Sequence, residues 1–328
     1  MDGVSAHALS PPDSRPAAAA TVLSILERRM AFVTGKGGVG KTTVSAALAL
    51  AAVADRRPAV VCELGTRGQL ARAFGQTDRA AVEVELAPGL SSISIDPDVA
   101  LQEWMARTIG RPGAALLGHS DAFRYFVAAA PGARELVGIG KAWDLTRSRG
   151  ATRDGRLVVV DAPSSGHAVA LLQAPRTFSR LGGPGPIGHQ ARRIRDFLGD
   201  PACSAIVLVC TPSEMPVTET VELAAAVQDA TGRPPDVVIA NQVLPDRFDE
   251  HEVELIDRAL SASGDPRLHA VARPARMAWR RAREQEDQLD RLRAELGLPV
   301  VDLPFLFVAA LGPRELLALS TALAPPAA

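Results

Sequence analysis

A glycine-rich segment near the start of the chain constrains the fold more than any other feature. Residues 35–43 read GKGGVGKTT and match the pattern G-x-x-x-x-G-K-[ST]. In this pattern the glycines let successive backbone N–H groups face a phosphate chain, and a helix that begins at the lysine adds its positive end. The apolar run MAFVT at 30–34 precedes the segment and VSAALALAAVA follows it, which predicts a strand before the loop and a buried helix after it.

The residues of this loop have separate predicted roles in binding ATP and Mg²⁺. Lys41 is expected to reach the β- and γ-phosphates, and the Thr42 hydroxyl is expected to ligate the magnesium ion. Only three of the 36 basic residues are lysines, and two of them, Lys36 and Lys41, lie in this loop. Both positions are therefore predicted to need a compact ammonium group rather than a guanidinium. The predicted nucleotide-binding residues of the loop are Gly35, Lys36, Gly37, Gly38, Val39, Gly40, Lys41, Thr42 and Thr43.

Along the rest of the chain, short apolar runs alternate with helical stretches. This alternation predicts an α/β fold with a doubly wound, mostly parallel sheet, and the near-continuous Val, Ile and Leu content of the runs predicts strands covered on both faces. The predicted strands are 30–34, 59–63, 91–95, 157–161, 205–210, 236–240 and 299–303. The predicted helices are 41–54, 216–230, 250–262, 274–296 and 313–323, with three more between 96 and 154.

The same pattern predicts how the chain is divided. Residues 1–28 are expected to be a disordered extension, and 29–95 together with 155–323 are expected to form one discontinuous core domain. Residues 96–154 contain no strand-like run and predict a helical insertion. The segment 181–188, LGGPGPIG, is predicted to be irregular because of its glycine and proline content.

A second motif, LVVVDAPSSGH, occupies 157–167. A strand that ends in an aspartate often supplies a carboxylate on the magnesium side of a phosphate site, so Asp161 is predicted to hold the metal with Thr42 and to belong to the catalytic set with Lys36 and Lys41. Strand-end aspartates are also common helix caps. Gly166 is a candidate hinge, and His167 is either part of a switch or a polar cap.

Together these motifs resemble the ArsA-like ATPases, a family that includes arsenite-pump and tail-anchored-protein-targeting ATPases. The lysine after the first glycine resembles the deviant loop of that class, and the resemblance implies that Lys36 acts across a dimer interface. It also implies that Asn241, after the strand DVVIA, reads the adenine edge, although asparagine equally favours turns. The implied partner is a second copy of the chain or a paralogous subunit.

The chain departs from the family pattern after the second predicted strand. In ELGTRGQL at 63–70, Gly65 occupies the place where the family has an aspartate that orients the attacking water. Glu63 lies two residues earlier and is a candidate substitute. Two functions remain open: a slow ATPase that switches a dimer between open and closed states, and an attenuated regulatory subunit that completes a heterodimer. A membrane- or DNA-positioning ATPase is set aside because the C-terminal segment lacks lysine.

Composition excludes several other classes. The net charge of −1 gives no general field for nucleic acid, and no apolar run is long enough to insert stably into a membrane. Cys62, Cys203 and Cys210 form no CxxC pair, which argues against a zinc site and a disulfide framework. Without an export signal, a cytoplasmic location is expected.

The insertion at 96–154 is rich in large apolar residues. It is either a surface for a protein client or the core of a helical subdomain. The residues are Trp104, Met105, Leu116, Leu117, Phe123, Tyr125, Phe126 and Trp143.

Overall fold

A computed structural model gives the fold of the chain, and it describes residues 15–64, 68–78, 81–103, 132–147, 155–263 and 266–324. Its strands are β1 Met30–Gly35, β2 Ala59–Leu64, β3 Val84–Ala87, β4 Leu90–Ile95, β5 Leu157–Asp161, β6 Ser204–Cys210, β7 Val237–Val243 and β8 Val300–Pro304. Its helices are α1 Arg15–Leu26, α2 Lys41–Ala54, α3 Gln69–Ala73, α4 Ala133–Leu145, α5 Ser165–Leu181, α6 Pro186–Gly199, α7 Glu214–Thr231, α8 Glu250–Ser263, α9 Pro266–Leu296 and α10 Pro313–Leu323. A further helical segment covers 97–103.

The eight strands form one sheet in the order β3-β4-β2-β5-β1-β6-β7-β8. All neighbours pair in parallel except β3 and β4, which are antiparallel at one edge. The predicted doubly wound, mostly parallel fold is therefore confirmed. Because β1 lies between β5 and β6, the loop that follows β1 opens at the centre of the carboxyl edge of the sheet, where α/β proteins bind ligands.

Helices bury both faces of the sheet, as the apolar strands require. One core cluster joins α1, α2 and α10 to alternate strand residues such as Val33, Val61 and Val159. The other cluster joins α4, α5, α6 and α7 to the opposite face through residues such as Phe32 and Val160. Within the described residues, no helix is long and apolar enough to cross a membrane.

The observed elements differ from the predicted ones in several places, since α3 and α5 were not predicted and α9 begins at Pro266 rather than at 274. Disorder was expected for the segment Arg15–Leu26, but it is helical and buries Val22, Ile25 and Leu26. It is ordered because these aliphatic side chains pack in the same core cluster as α2. The short edge strand β3 was not predicted. The irregular part of LGGPGPIG is confined to 182–185, since Pro186 is well suited to the first position of α6.

The helical insertion remains a prediction over most of its length. Residues 97–103 and Ala133–Leu145 are helical, and 104–131 and 148–154 lie outside the described residues. Most of the apolar residues proposed as a client surface fall in the first of these gaps. Trp143 is described, and it is buried in the core cluster formed by α4 and its neighbouring helices.

At Gly35 two strands approach closely at the sheet centre. Gly35 pairs with Val209 of β6, and a Cβ atom at Gly35 would lie 2.3 Å from the Val209 carbonyl oxygen. A backbone carbonyl in the middle of a sheet cannot move away without disturbing the neighbouring hydrogen bonds. The first glycine of the loop is therefore required by strand packing as well as by phosphate binding.

This contact predicts a stability effect. Gly35→Ala should destabilise the protein by roughly 1–3 kcal/mol, because overpacking forces the backbone apart. Gly37→Ala is the matched control, since a Cβ there meets nothing within 4 Å. Urea unfolding of both variants measures the difference, and equal stabilities would show that the β1–β6 spacing does not constrain position 35.

Candidate functional site

The glycine-rich loop leaves β1 at Gly35 and turns into α2 at Lys41. Gly40, the N-cap of α2, has φ 90° and ψ 31°, a left-handed conformation that costs glycine little and other residues more. The turn points the first backbone N–H groups of α2 back towards the loop. This is the strand, loop and helix arrangement that the sequence predicted.

Lys41 lies at the centre of the loop. Its Nζ atom donates a hydrogen bond to the Lys36 carbonyl oxygen at 2.8 Å. Burial lowers the pKa of Lys41, and the nearby Asp161 carboxylate opposes that shift. The ammonium group therefore sits partly desolvated inside the loop, where its attraction for a phosphate is less screened than in water.

Thr42 and Asp161 meet beside the loop. β5 pairs with β1 so that Asp161 is opposite Val33, and this register brings the end of β5 to the first turn of α2. The Thr42 hydroxyl donates a hydrogen bond of 2.6 Å to Asp161 Oδ2, and Ser45 Oγ lies 3.4 Å from Oδ1. The two residues predicted to hold magnesium are thus in direct contact.

The environment of Asp161 fits a divalent cation. The residue is 2% exposed, and burial raises the pKa of its carboxyl group to about 6, against the hydrogen bond from Thr42 and the charge of Lys41. A buried carboxylate that its neighbours do not fully compensate gains from a positive ion. Carboxylate and hydroxyl oxygens are also the hard ligands that Mg²⁺ prefers, and it commonly binds only one or two such side chains.

Glu63 lies one strand away from Asp161 and faces the same side of the sheet, because the two are register partners in β2 and β5. It is 1% exposed, and its Oε1 accepts hydrogen bonds from the backbone nitrogens of Gln69 at 2.9 Å and Leu70 at 3.1 Å. Its Oε2 atom has no hydrogen-bond partner in the described part of the chain. Burial raises the pKa of Glu63, with Asp161 and Asp78 adding to the shift. The observed contacts make Glu63 the anchor of α3.

Gln69 begins α3 and was not predicted as a site residue. Its Oε1 atom lies 3.5 Å from Thr42 Oγ1. Because the single hydroxyl hydrogen of Thr42 is directed to Asp161, this is a contact rather than a second hydrogen bond. The Glu63 carboxylate fixes the backbone of Gln69, so the amide side chain is held next to the predicted magnesium position.

A cavity of about 890 Å³ lies over the loop and collects most of the predicted site. Its walls include His167, the predicted switch residue or polar cap, and also Gln69, Arg134 and Glu135, which the sequence did not identify. The complete lining is Gly37, Gly38, Gly40, Lys41, Thr42, Thr43, Leu64, Gln69, Ile95, Pro97, Arg134, Glu135, Gly138, Asp161, Ala162, Pro163, Ser164, His167 and Leu171.

Asn241 lies in β7 and is buried. Its Nδ2 atom donates a hydrogen bond to the Val39 carbonyl oxygen at 2.9 Å, so the Asn241 side chain helps to hold the loop in its conformation. The adenine-reading role expected for Asn241 remains a prediction. Gly65, on which the expected loss of water activation rests, lies outside the described residues.

Lys36 is engaged within its own chain. Its ammonium group forms an ion pair with Glu219 of α7, and both side chains are only partly exposed. The sequence offered no signal for this partner, which is 183 positions away. Gln69, Arg134 and Glu219 share this property: each reaches the site through the tertiary fold rather than through a local motif.

The raised pKa of Asp161 predicts how stability depends on pH. Because the folded-state pKa of about 6 exceeds the ordinary value of 3.8, the native state holds the proton more tightly, and this residue's contribution destabilises the protein as pH rises through 6. In metal- and nucleotide-free protein, Asp161→Asn should remove that loss and be more stable at pH 7 by on the order of 2–3 kcal/mol. Urea unfolding at pH 5 and pH 7 with a chelator measures it.

The exposed Asp229 provides the control. Asp229→Asn should keep the wild-type dependence on pH. If Asp161→Asn keeps it too, the Asp161 carboxylate is compensated by its neighbours, contrary to the burial argument.

Comparison with known proteins agrees with this geometry. The family model described as "Anion-transporting ATPase" matches residues 28–182 and 187–261. The protein named "ATPase BagA" of Mycobacterium tuberculosis is 30% identical over 205 residues, which is 59% of this chain and 59% of that protein. The "ATPase GET3" of Malassezia globosa is 30% identical over 169 residues, covering 51% of this chain and 49% of that protein.

A "Putative arsenical pump-driving ATPase" of Halobacterium salinarum is 26% identical over 253 residues, which is 72% of this chain and 38% of that protein. The chain thus matches less than two thirds of the length of each of these three relatives. The family model, in contrast, matches well over half of the chain, including the glycine-rich loop and the Asp161 motif. The chain belongs to the ArsA-like family of anion-transporting ATPases.

Proposed function

We propose that this chain binds MgATP in the cavity over the glycine-rich loop and hydrolyses it slowly, and that the nucleotide switches a dimer between open and closed states. The observation that carries this proposal is the convergence of Lys41, Thr42 and Asp161 on one cavity at the carboxyl edge of the sheet. Family membership supports the same chemistry.

The residues of the cavity divide the work of binding the triphosphate. The loop backbone and Lys41 face the β- and γ-phosphates, and the Lys36 carbonyl gives up its hydrogen bond with Lys41 when the phosphate arrives. Thr42 and Asp161 hold the magnesium ion, which supplies positive charge to the phosphate oxygens. Asn241 keeps the loop in shape through the Val39 carbonyl.

One observation favours the second function, an attenuated subunit that completes a heterodimer. One oxygen of the Glu63 carboxylate, Oε1, accepts hydrogen bonds from the backbone of α3, and Glu63 is absent from the described lining of the cavity. A carboxylate in that position anchors a helix and is poorly placed to activate water. With glycine at position 65, this arrangement supports ATP binding that is uncoupled from rapid turnover.

The test measures binding and turnover together. Calorimetry with MgATP should show that the wild-type protein binds ATP with ordinary affinity and that Lys41→Ala binds it much more weakly. The affinity falls because the phosphates lose the charged Lys41 ammonium group. Lys141→Ala is the matched control, since that lysine pairs with Glu103 away from the cavity. Unchanged affinity in Lys41→Ala would contradict the assignment of the phosphate site.

Steady-state phosphate release from the same samples separates the two functions. Slow release that the protein sustains alone supports the slow ATPase. ATP binding without measurable release, restored by a paralogous subunit, supports the attenuated one. Brisk release that is lost in Glu63→Gln would make Glu63 the activating residue and would contradict its role as a structural anchor.

The Lys36–Glu219 ion pair bears on dimerisation. An ammonium group that pairs with its own α7 cannot at the same time reach a partner's nucleotide. We therefore infer that closure exchanges Glu219 for the phosphate of the second subunit. A homodimer or a heterodimer with a paralogue, a protein client bound through 96–154, and the cytoplasmic location remain predictions.

This exchange predicts opposite effects for the two partners. Glu219→Gln should release Lys36 and increase the dimer fraction at a given ATP concentration, whereas Lys36→Ala should abolish ATP-dependent dimerisation and leave ATP binding to the monomer intact. Sedimentation velocity with and without MgATP measures both, with Lys141→Ala as the charge control. If Lys36→Ala lowers monomer affinity and leaves assembly unchanged, the lysine acts only within its own subunit.

A further inference from the structure

Arg134 brings α4 to the nucleotide cavity. It is the second residue of that helix and lines the cavity together with Gly37, Gly38 and Lys41. One turn further along, a Cβ atom at Gly138 would lie 3.8 Å from Leu64 and 3.7 Å from Leu171. Residues four apart share a helix face, so the face that carries Arg134 packs over the end of β2 and against α5.

The present partner of Arg134 holds it weakly. Its Nη2 atom lies 3.2 Å from Asp98 Oδ1, and the two side chains are 61% and 67% exposed. Exposed ion pairs of this kind contribute about 0–1 kcal/mol. A phosphate offers a guanidinium two parallel charge-assisted hydrogen bonds, which are stronger. The anion can therefore displace Asp98 at small cost.

The charges in the cavity leave a role for this residue. Among the described lining residues, Glu135 and Asp161 add negative charge, and the Lys and Arg side chains are Lys41 and Arg134. Lys36 is not among these lining residues, and it forms an ion pair with Glu219. An incoming triphosphate therefore meets the Glu135 carboxylate as well as the predicted magnesium ligand Asp161, and Arg134 adds a second cationic side chain to Lys41 in this lining.

We propose that Arg134 binds the γ-phosphate of ATP from within the same chain and makes the cavity prefer ATP to ADP. The inference rests on the proposed function, which supplies the nucleotide. An arginine that reaches the phosphate from a helical segment of its own subunit acts like an arginine finger supplied in cis. α4 packs on α5, the helix that begins within the Asp161 motif.

The test compares the affinities of one protein for ATPγS and ADP. Titration calorimetry with Mg²⁺ is carried out on the full chain as wild type, Arg134→Ala, Arg134→Gln and a control. Arg258→Ala is that control, because Arg258 forms a similarly exposed ion pair, with Glu254 at 2.8 Å, on α8. Arg134→Ala and Arg134→Gln should weaken ATPγS binding about tenfold or more, as expected for a lost charge-assisted contact, and leave ADP binding unchanged.

The outcomes separate this inference from the proposed function. Equal weakening of ATPγS and ADP, or no weakening of either, overturns the γ-phosphate contact while the nucleotide site stands. A wild-type protein that binds neither nucleotide overturns the proposed function itself. Loss in Arg258→Ala matching that in Arg134→Ala would reduce the effect to a general change in surface charge and would likewise overturn the contact.

Discussion

The hydrogen bond between the Thr42 hydroxyl and the Asp161 carboxylate joins the two units from which the site is built. One unit is β1, the glycine-rich loop and α2, and the other is β5 with the turn into α5. The parallel register of β1 and β5 sets their separation, and the buried carboxylate fixes their orientation. Lys41 faces the same carboxylate, so the loop, the lysine and the predicted metal position depend on one contact.

Much of the fold follows from patterns that are local in the sequence. The seven predicted strands all occur, and β1, β2, β5 and β6 are buried on both faces and therefore apolar at nearly every position. Helix α2 also occurs where it was predicted, since its Ala- and Leu-rich stretch can be covered on all sides. Helix α5 was missed because Gly166 and Pro175 interrupt its pattern, yet tertiary packing buries Leu171 and Leu172 and holds it helical. Strand β3 was missed because an edge strand needs little apolar content.

The site residues also fall into those that local sequence patterns predict and those that only the tertiary structure reveals. The loop residues and Asp161 were predictable because their spacing to a strand end is short and defined by backbone geometry. Gln69 and Arg134 were not, because each enters the cavity from an element whose position only the packed structure determines. The sequence identified Glu63 as a carboxylate near the site, but it did not predict the contacts of Glu63 with the backbone of α3. A residue's distance along a strand says little about which backbone groups it will bind, and here those groups belong to α3.

The contact between Asn241 and the loop has a consequence for how this sequence can vary. A Cβ atom at Gly40 would lie 2.2 Å from Asn241 Nδ2, the same atom that donates to the Val39 carbonyl. A side chain at position 40 would therefore displace the Asn241 amide from the Val39 carbonyl, in addition to the strain of a non-glycine residue at φ 90°. A single substitution at position 40 or at position 241 therefore loses the hydrogen bond that supports the loop. The two positions, 201 residues apart in the chain, are therefore constrained by one contact between the phosphate loop and β7.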